Sequence, residues 1–219
     1  MSAELTPSDD EFSVCSAYLK HRGVEGTIIF AMLSGSQAYN LAHAGSDKDY
    51  LGIYMVDTRE LLSIDGELKF PNQPLSTLPT EDTFPDTTLY EVKQFLKLAI
   101  KGNPFMVEAL FSRQNYMSTP CFDRLRAVRK SILSRQLVEE FLSYIRGQMV
   151  VHQRKGLKGK RVYHIIRLLF ELNRIIRGEE PVITFPDGEE RDRMVELRQV
   201  EQPGEEVIEE AEEMIAKIE

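Results

Sequence analysis

Two carboxylates, Asp47 and Asp49, stand one residue apart, about ten residues after the Gly35-Ser36 step of Gly35-Ser36-Gln37-Ala38-Tyr39-Asn40-Leu41-Ala42-His43-Ala44-Gly45-Ser46-Asp47-Lys48-Asp49. If Asp47 and Asp49 open a strand, their side chains point the same way. Carboxylates held side by side repel, and a divalent cation between them relieves the repulsion. Mg²⁺ suits such a pair, because it takes hard oxygen ligands and completes its shell with water and phosphate oxygens. Two such ions, roughly 3.5–4 Å apart, bridge the nucleophile and leaving group of a phosphoryl transfer. Gly35 lets backbone come close to a phosphate, and Ser36 and Ser46 add hydroxyl and N–H donors beside it. Surface turns also collect Gly, Ser and Asp. The information therefore lies in the combination, a Gly-Ser step closing one apolar strand and Asp-x-Asp opening the next.

The elements that must position these groups are legible on either side. Thr27–Leu33 is β-branched and apolar and stops at Ser34-Gly35-Ser36, which reads as a buried strand entering a tight turn. Asp49–Val56 reads as a second strand. Residues 65–86, rich in Pro, Asp, Thr and Ser, read as a long connection. Asp86–Tyr90 has strand composition, and a helix is expected from about Glu91 to Ile100, ended by Lys101-Gly102-Asn103-Pro104. Helical periodicity dominates from Asp123 onward. Residues 161–177 form its clearest segment, and an amphipathic helix closes the chain from Glu205. The shift near residue 115 predicts an α/β domain over 1–115 and a helical domain over 116–219.

Taken as a total, the formal charge of −8 on the 219 residues argues against a phosphate-rich partner. The charge is segregated, however. Residues 1–111 hold 8 basic and 16 acidic side chains, residues 112–178 hold 15 and 4, and residues 179–219 hold 4 and 15. The basic middle suits phosphate or a nucleic-acid backbone. Within it Lys160, His164, Arg167, Glu171 and Arg174 recur at helical spacing as a polar stripe, for which a solvated face is the plainer alternative. No second His lies at zinc-ligand spacing from His164. Two cysteines and no apolar leader or membrane-length run imply a reducing cytoplasm, with no membrane partner. The acidic tail could lie against the basic middle and restrain access to it.

The Gly35-Ser36 and Ser46-Asp47-Lys48-Asp49 pattern resembles the signature of the DNA-polymerase-β-type nucleotidyltransferase superfamily. Asp86-Thr87-Thr88-Leu89-Tyr90-Glu91, Lys101-Gly102-Asn103-Pro104 with Glu108, and Tyr163–Leu169 narrow the resemblance to its RNA-repair-pathway (RlaP/YcgL-like) group. That resemblance implies an α+β fold, a small mixed sheet with flanking helices followed by a helical C-terminal region. It also implies Mg²⁺ held by three carboxylates and transfer of a nucleoside monophosphate from NTP. Asp47 and Asp49 take the first two positions. Asp86 is the choice for the third, because Asp86, Thr88 and Tyr90 share one strand face. Glu91 is the candidate if that strand is offset. Lys48 stands where the group more often has an apolar residue. Gly35, Ser36, Ser46, Lys160, His164 and Arg167 are the expected nucleotide contacts. The expected acceptor is a hydroxyl, either an RNA end or a protein side chain. A nucleotide- or RNA-binding module that keeps the fold without the chemistry is the non-enzymatic alternative.

Overall fold

The computed structural model describes residues 10–59, 73–78, 83–113, 116–155, 159–200 and 205–218. They fold into two compact units, Met1–Leu98 with Ser112–Val128, and Ala99–Phe111 with Arg129–Glu219. The sequence places one division near residue 115. The two units of the structure interleave instead, each built from two stretches of chain.

In the first unit, α1 (Glu11–His21) is followed by β1 (Gly26–Ser34), the single turn α2 (Gly35–Ala38) and β2 (Asp49–Val56). Then come β3 (Leu75–Ser76), β4 (Thr87–Glu91) and α3 (Val92–Lys101), whose end from Ala99 belongs to the second unit. After the excursion into the second unit, β5 (Tyr116–Ser118) and α5 (Pro120–Ala127) complete it. The sheet order is β3-β4-β2-β1-β5, and it is mixed: β2 runs parallel to β4, and the other neighbours are antiparallel. Helix α1, which the sequence reading did not place, starts where the Asp10 carboxylate accepts the Ser13 N–H at 2.8 Å. Its Val14, Cys15, Tyr18 and Leu19 pack on Tyr50, Tyr54 and Leu89 to form the core on one face. Gly52 lets α1 come close, since a Cβ there would lie 2.9 Å from Cys15 Sγ and 2.6 Å from Leu89 Cδ2. On the other face, Phe122 of α5 stacks on Phe30 at 4.4 Å and meets Phe95 of α3 at 5.5 Å. The register of β1 against β2 shifts between Ile28 and Phe30, which sends Ile28 toward α1 and Phe30 toward α5.

The second unit is helical: α4 (Pro104–Phe111), a 3₁₀ turn (Arg129–Ile132), α6 (Arg135–Lys155), α7 (Gly159–Ile176), α8 (Glu189–Gln199) and α9 (Glu205–Ile218). Leu137, Phe141 and Ile145 of α6, Val162, Ile165, Ile166 and Leu169 of α7, and Met194 of α8 are buried. Their helical spacing is the pattern legible in the sequence. Helix α4 follows directly on Asn103-Pro104, with Asn103 Oδ1 accepting the Phe105 N–H at 3.1 Å and Pro at the first helical position. The acidic tail helix α9 packs on α7, and its Glu210 pairs with Arg193 of α8. Both cysteines are free thiols, and no described helix is long and apolar enough to cross a membrane.

Gly102 joins α3 to α4 at φ +88°, and a Cβ there would lie 2.6 Å from Leu137 Cα. Left-handed backbone and a clash with main chain act together. Gly102→Ala is expected to destabilise the protein by about 1–3 kcal/mol, measured by urea unfolding, with no rescue by shortening Leu137.

Candidate functional site

The β1–β2 hairpin brings the Gly-Ser step and the second aspartate together. Ser34 pairs with Asp49 in the register, and Ser34 Oγ donates to the Asp49 carbonyl at 3.3 Å. Gly35 then adopts φ +60°, and a Cβ at that position would lie 2.5 Å from Asp49 Oδ2. Only glycine meets both conditions, the left-handed turn and the carboxylate against it. Ser36 is buried and its carbonyl accepts the Leu41 N–H at 2.9 Å. Strand β2 begins at Asp49, so Asp47 lies before it and the strand-parity argument does not extend to Asp47. Asp47 is exposed at the end of a turn that closes on itself. His43 N–H donates to Ser46 Oγ at 2.9 Å, Ser46 N–H donates to the His43 carbonyl at 2.9 Å, and Gly45 N–H donates to His43 Nδ1 at 3.1 Å. Ser46 is therefore already engaged in shaping the turn. Lys48 is exposed and outside the strand, which removes any difficulty of burying it.

Asp86 arrives from the neighbouring strand. Tyr50 pairs with Thr87 in the parallel ladder, and Tyr50 N–H donates to the Asp86 carbonyl at 2.7 Å. Asp86 thus precedes its strand as Asp49 opens its own, on adjacent strands and at the same level. Glu91 follows the opposite parity and is buried, in register with Tyr54. Its carboxylate caps α3, accepting the N–H groups of Lys93 at 2.7 Å and Gln94 at 3.3 Å. Burial, with Glu91 adding, pushes the Tyr54 hydroxyl up to about 12. Glu91 is thus committed to the α1 side of the sheet and to a helix cap. Among the described residues, no three Asp, Glu, His or Cys side chains stand close enough to enclose a metal ion by themselves.

The RNA repair pathway DNA polymerase β family (RlaP) matches residues 2–216. The chain belongs to the RlaP family. No curated protein matches it. Among solved structures, a nucleotidyltransferase-like protein from Exiguobacterium sibiricum 255-15 is similar at 12% identity and a TM-score of 0.36, over 94% of this chain and 73% of its own.

At Arg167 and Glu171 the basic stripe of this RlaP-family chain is not the open phosphate face that its spacing suggests. Lys160 belongs to α7, but its side chain lies outside the described residues, as do those of Arg154, Lys155 and Lys158. Arg167 is only 2% exposed and Glu171 equally so. Arg167 Nη2 pairs with Glu108 Oε1 of α4 at 2.8 Å, and Nη1 reaches Glu171 Oε2 at 3.5 Å. Two stretches that carry the family resemblance therefore meet in one buried ion cluster. His164 is drawn into it. Arg167 Nη2 donates to His164 Nδ1 at 3.2 Å, which places the imidazole proton on Nε2, 3.4 Å from the Tyr144 hydroxyl. Phe105 stacks on the same ring at 6.0 Å. Burial and the Arg167 charge pull His164 down from 6.5 to about 3, so the ring is neutral at physiological pH. Burial and the Glu108 charge raise Glu171 well above its ordinary range, against the lowering effect of Arg167. Glu108 entered the sequence reading only through the family resemblance; as a lone acid inside the apolar Phe105–Phe111 run it also signals a buried cationic partner.

Two outcomes follow from these geometries. Gly35→Ala is expected to keep the fold and to weaken Mg²⁺–nucleotide binding at least about tenfold, by displacing Asp49; calorimetric titration measures this, and unchanged binding would remove Gly35 from the site. His164 takes up a proton readily when unfolded but not when folded. The stability it provides is therefore complete above about 6.5 and is lost as the pH falls toward 3. Between pH 6.5 and pH 5, the wild type should lose about 1.5 kcal/mol more unfolding free energy than His164→Gln. Parallel pH profiles would refute the buried neutral ring.

Proposed function

We propose that the protein is an Mg²⁺-dependent nucleotidyltransferase that moves a nucleoside monophosphate from NTP to a hydroxyl acceptor, with an RNA end as the favoured acceptor class. The observation that carries the reading is Gly35, held left-handed against the Asp49 carboxylate at the head of β2, with Asp86 level with it just before β4. Membership of the RlaP family supports the same chemistry.

The donor set is hard oxygen, which fits Mg²⁺. Asp47 and Asp49 would hold the ion that accompanies the nucleotide, and Asp86 would join Asp49 around a second. The lack of a closed three-carboxylate cage is compatible with this, because Mg²⁺ is commonly held by one or two carboxylates, with substrate phosphates and water completing the shell. When bound, the ions neutralise the triphosphate and lower the pKa of the acceptor hydroxyl.

The remaining work falls to the chain. The Gly35-Ser36 turn presents backbone without a side chain in the way, so a phosphate can lie beside Asp49. The His43–Ser46 turn fixes the approach of Asp47. Asp86, just ahead of the adjacent strand, would face the incoming hydroxyl and would take its proton. The acceptor oxygen forms a bond to the α-phosphorus as the bond to the bridging oxygen breaks, and pyrophosphate leaves carrying that electron pair. Positioning and charge placement supply most of the acceleration in such a reaction. The excess of basic residues over 112–178 favours a polyanionic acceptor over a neutral one.

Incubation with α-labelled NTPs, Mg²⁺ and a pool of RNA fragments is expected to label RNA ends. Asp47→Ala or Asp49→Ala should reduce the labelling by at least about a thousandfold, and Asp86→Ala should do so with nucleotide binding retained. Label on a protein hydroxyl would move the acceptor class. Nucleotide binding without turnover on any acceptor would leave a binding module, and absence of Mg²⁺–NTP binding would end the reading.

A further inference from the structure

Thr77, just beyond β3, makes three polar contacts with the start of β4. Its N–H donates to the Thr87 carbonyl at 3.0 Å, and its Oγ1 accepts the Thr87 N–H at 3.1 Å. The same hydroxyl lies 2.8 Å from Asp86 Oδ1. A hydroxyl has one proton. Thr87 N–H already points at Oγ1, and a carboxylate oxygen can only accept, so the Thr77 proton is directed at Asp86. Main chain thereby sets the rotor of a side chain, and that side chain sets a carboxylate. The register of β3 holds the arrangement: Ser76 pairs with Thr88, and their hydroxyls lie 3.2 Å apart. Thr87 Oγ1 donates to the Pro85 carbonyl at 2.8 Å, which fixes the turn on the other side of Asp86. The Asp86 backbone is itself tied to β2 through Tyr50 N–H.

We infer that Thr77 is a positioning residue for Asp86, an edge-strand hydroxyl that occupies Oδ1 and turns Oδ2 toward the second ion and the acceptor. The inference rests on the reading of Asp86 as the third carboxylate. It adds to that site a residue from the segment between β2 and β4, where no motif marks it. It also assigns different work to the two Asp86 oxygens, one held by the protein and one given to the reaction. Without the hydroxyl the carboxylate is free to rotate, and the ion that depends on it loses a fixed ligand.

Thr77→Val keeps the shape and removes the hydroxyl, and Thr77→Ser keeps the hydroxyl. The first test is a double-mutant cycle with Asp86→Ala on the urea unfolding midpoint of the full chain. Thr77→Val should lower the midpoint more in the wild-type background than beside Asp86→Ala, where only the bond from the Thr87 N–H remains to be lost. The second is titration of Mn²⁺, as a paramagnetic stand-in for Mg²⁺, with a non-hydrolysable ATP analogue, followed by electron paramagnetic resonance. The weaker of two bound ions should bind about tenfold less tightly in Thr77→Val, should stay within about twofold of wild type in Thr77→Ser, and should be lost in Asp86→Ala. Additive midpoints would show that the hydrogen bond does not act, and would overturn the inference. Coupled midpoints with unchanged Mn²⁺ affinity would reduce Thr77 to a structural residue and overturn it equally. If the wild type binds no Mn²⁺ with the nucleotide, the nucleotidyltransferase reading falls and the positioning role with it; the coupled midpoints then distinguish that failure from an absent hydrogen bond.

Discussion

The first unit depends on the register of β2, which is hydrogen-bonded on both sides. Antiparallel pairing with β1 sets Asp49 beside Ser34 and so brings its carboxylate against Gly35. Parallel pairing with β4 brings Asp86 to the same level. A slip of one residue on either side would send alternate side chains to the wrong face and bury a carboxylate under α1. The apolar side chains enforce the register: Tyr50 and Tyr54 must meet α1, while Phe30 must meet Phe122. The carboxylates therefore sit where the packing of the core puts them, at the strand ends.

A different constraint organises the second unit. A guanidinium taken out of water needs anionic partners, and Arg167 has them from two helices, Glu108 and Glu171. Two acids for one cation leave an excess of negative charge, which burial resists, and Glu171 is accordingly the group pushed toward its neutral form. His164 remains uncharged beside the cation and passes its hydrogen bond to Tyr144. Such clusters add little to stability compared with apolar packing, but removing one member strands the others. Helices α4 and α7 are thereby held in one relation.

Much of the first unit was legible in the sequence, because its strands are short, apolar and punctuated by Gly, Ser and Pro. The expected segments for β1, β2, β4 and α3 differ from the observed ones by about a residue. Helix α1 escaped notice, since its charged and apolar residues give no strong period and only the Asp10 cap announces it. Asp47 falls outside the strand that Asp49 opens, because pairing with β1 stops at Ser34. Glu91 lies on the strand face that parity assigns to it, away from that of Thr88 and Tyr90, while its helix-capping role is visible only in the structure. At Arg167 and Glu171 the charged stripe of α7 misled for a physical reason. Spacing reveals which residues share a helix face, but not whether that face meets water or the acid of another helix. Thr77 was beyond reach, since its significance comes from pairing across an edge strand only two residues long.

The interleaving of the two units bears on how the chain matures during synthesis. Neither unit is one continuous stretch of polypeptide. Residues 99–111, which belong to the helical unit, leave the ribosome before β5 and α5, which complete the sheet and cover Phe30. The sheet thus waits with one apolar face open, while Glu108 waits for an arginine nearly sixty residues further along. The first unit is complete in sequence once Val128 has emerged, whereas the second needs Arg129–Glu219 to join residues 99–111. Residues 99–111 thus emerge before the segment that completes the first unit and wait for the rest of their own, and the order in which segments emerge leaves an acid and an aromatic face to be kept soluble until their partners arrive.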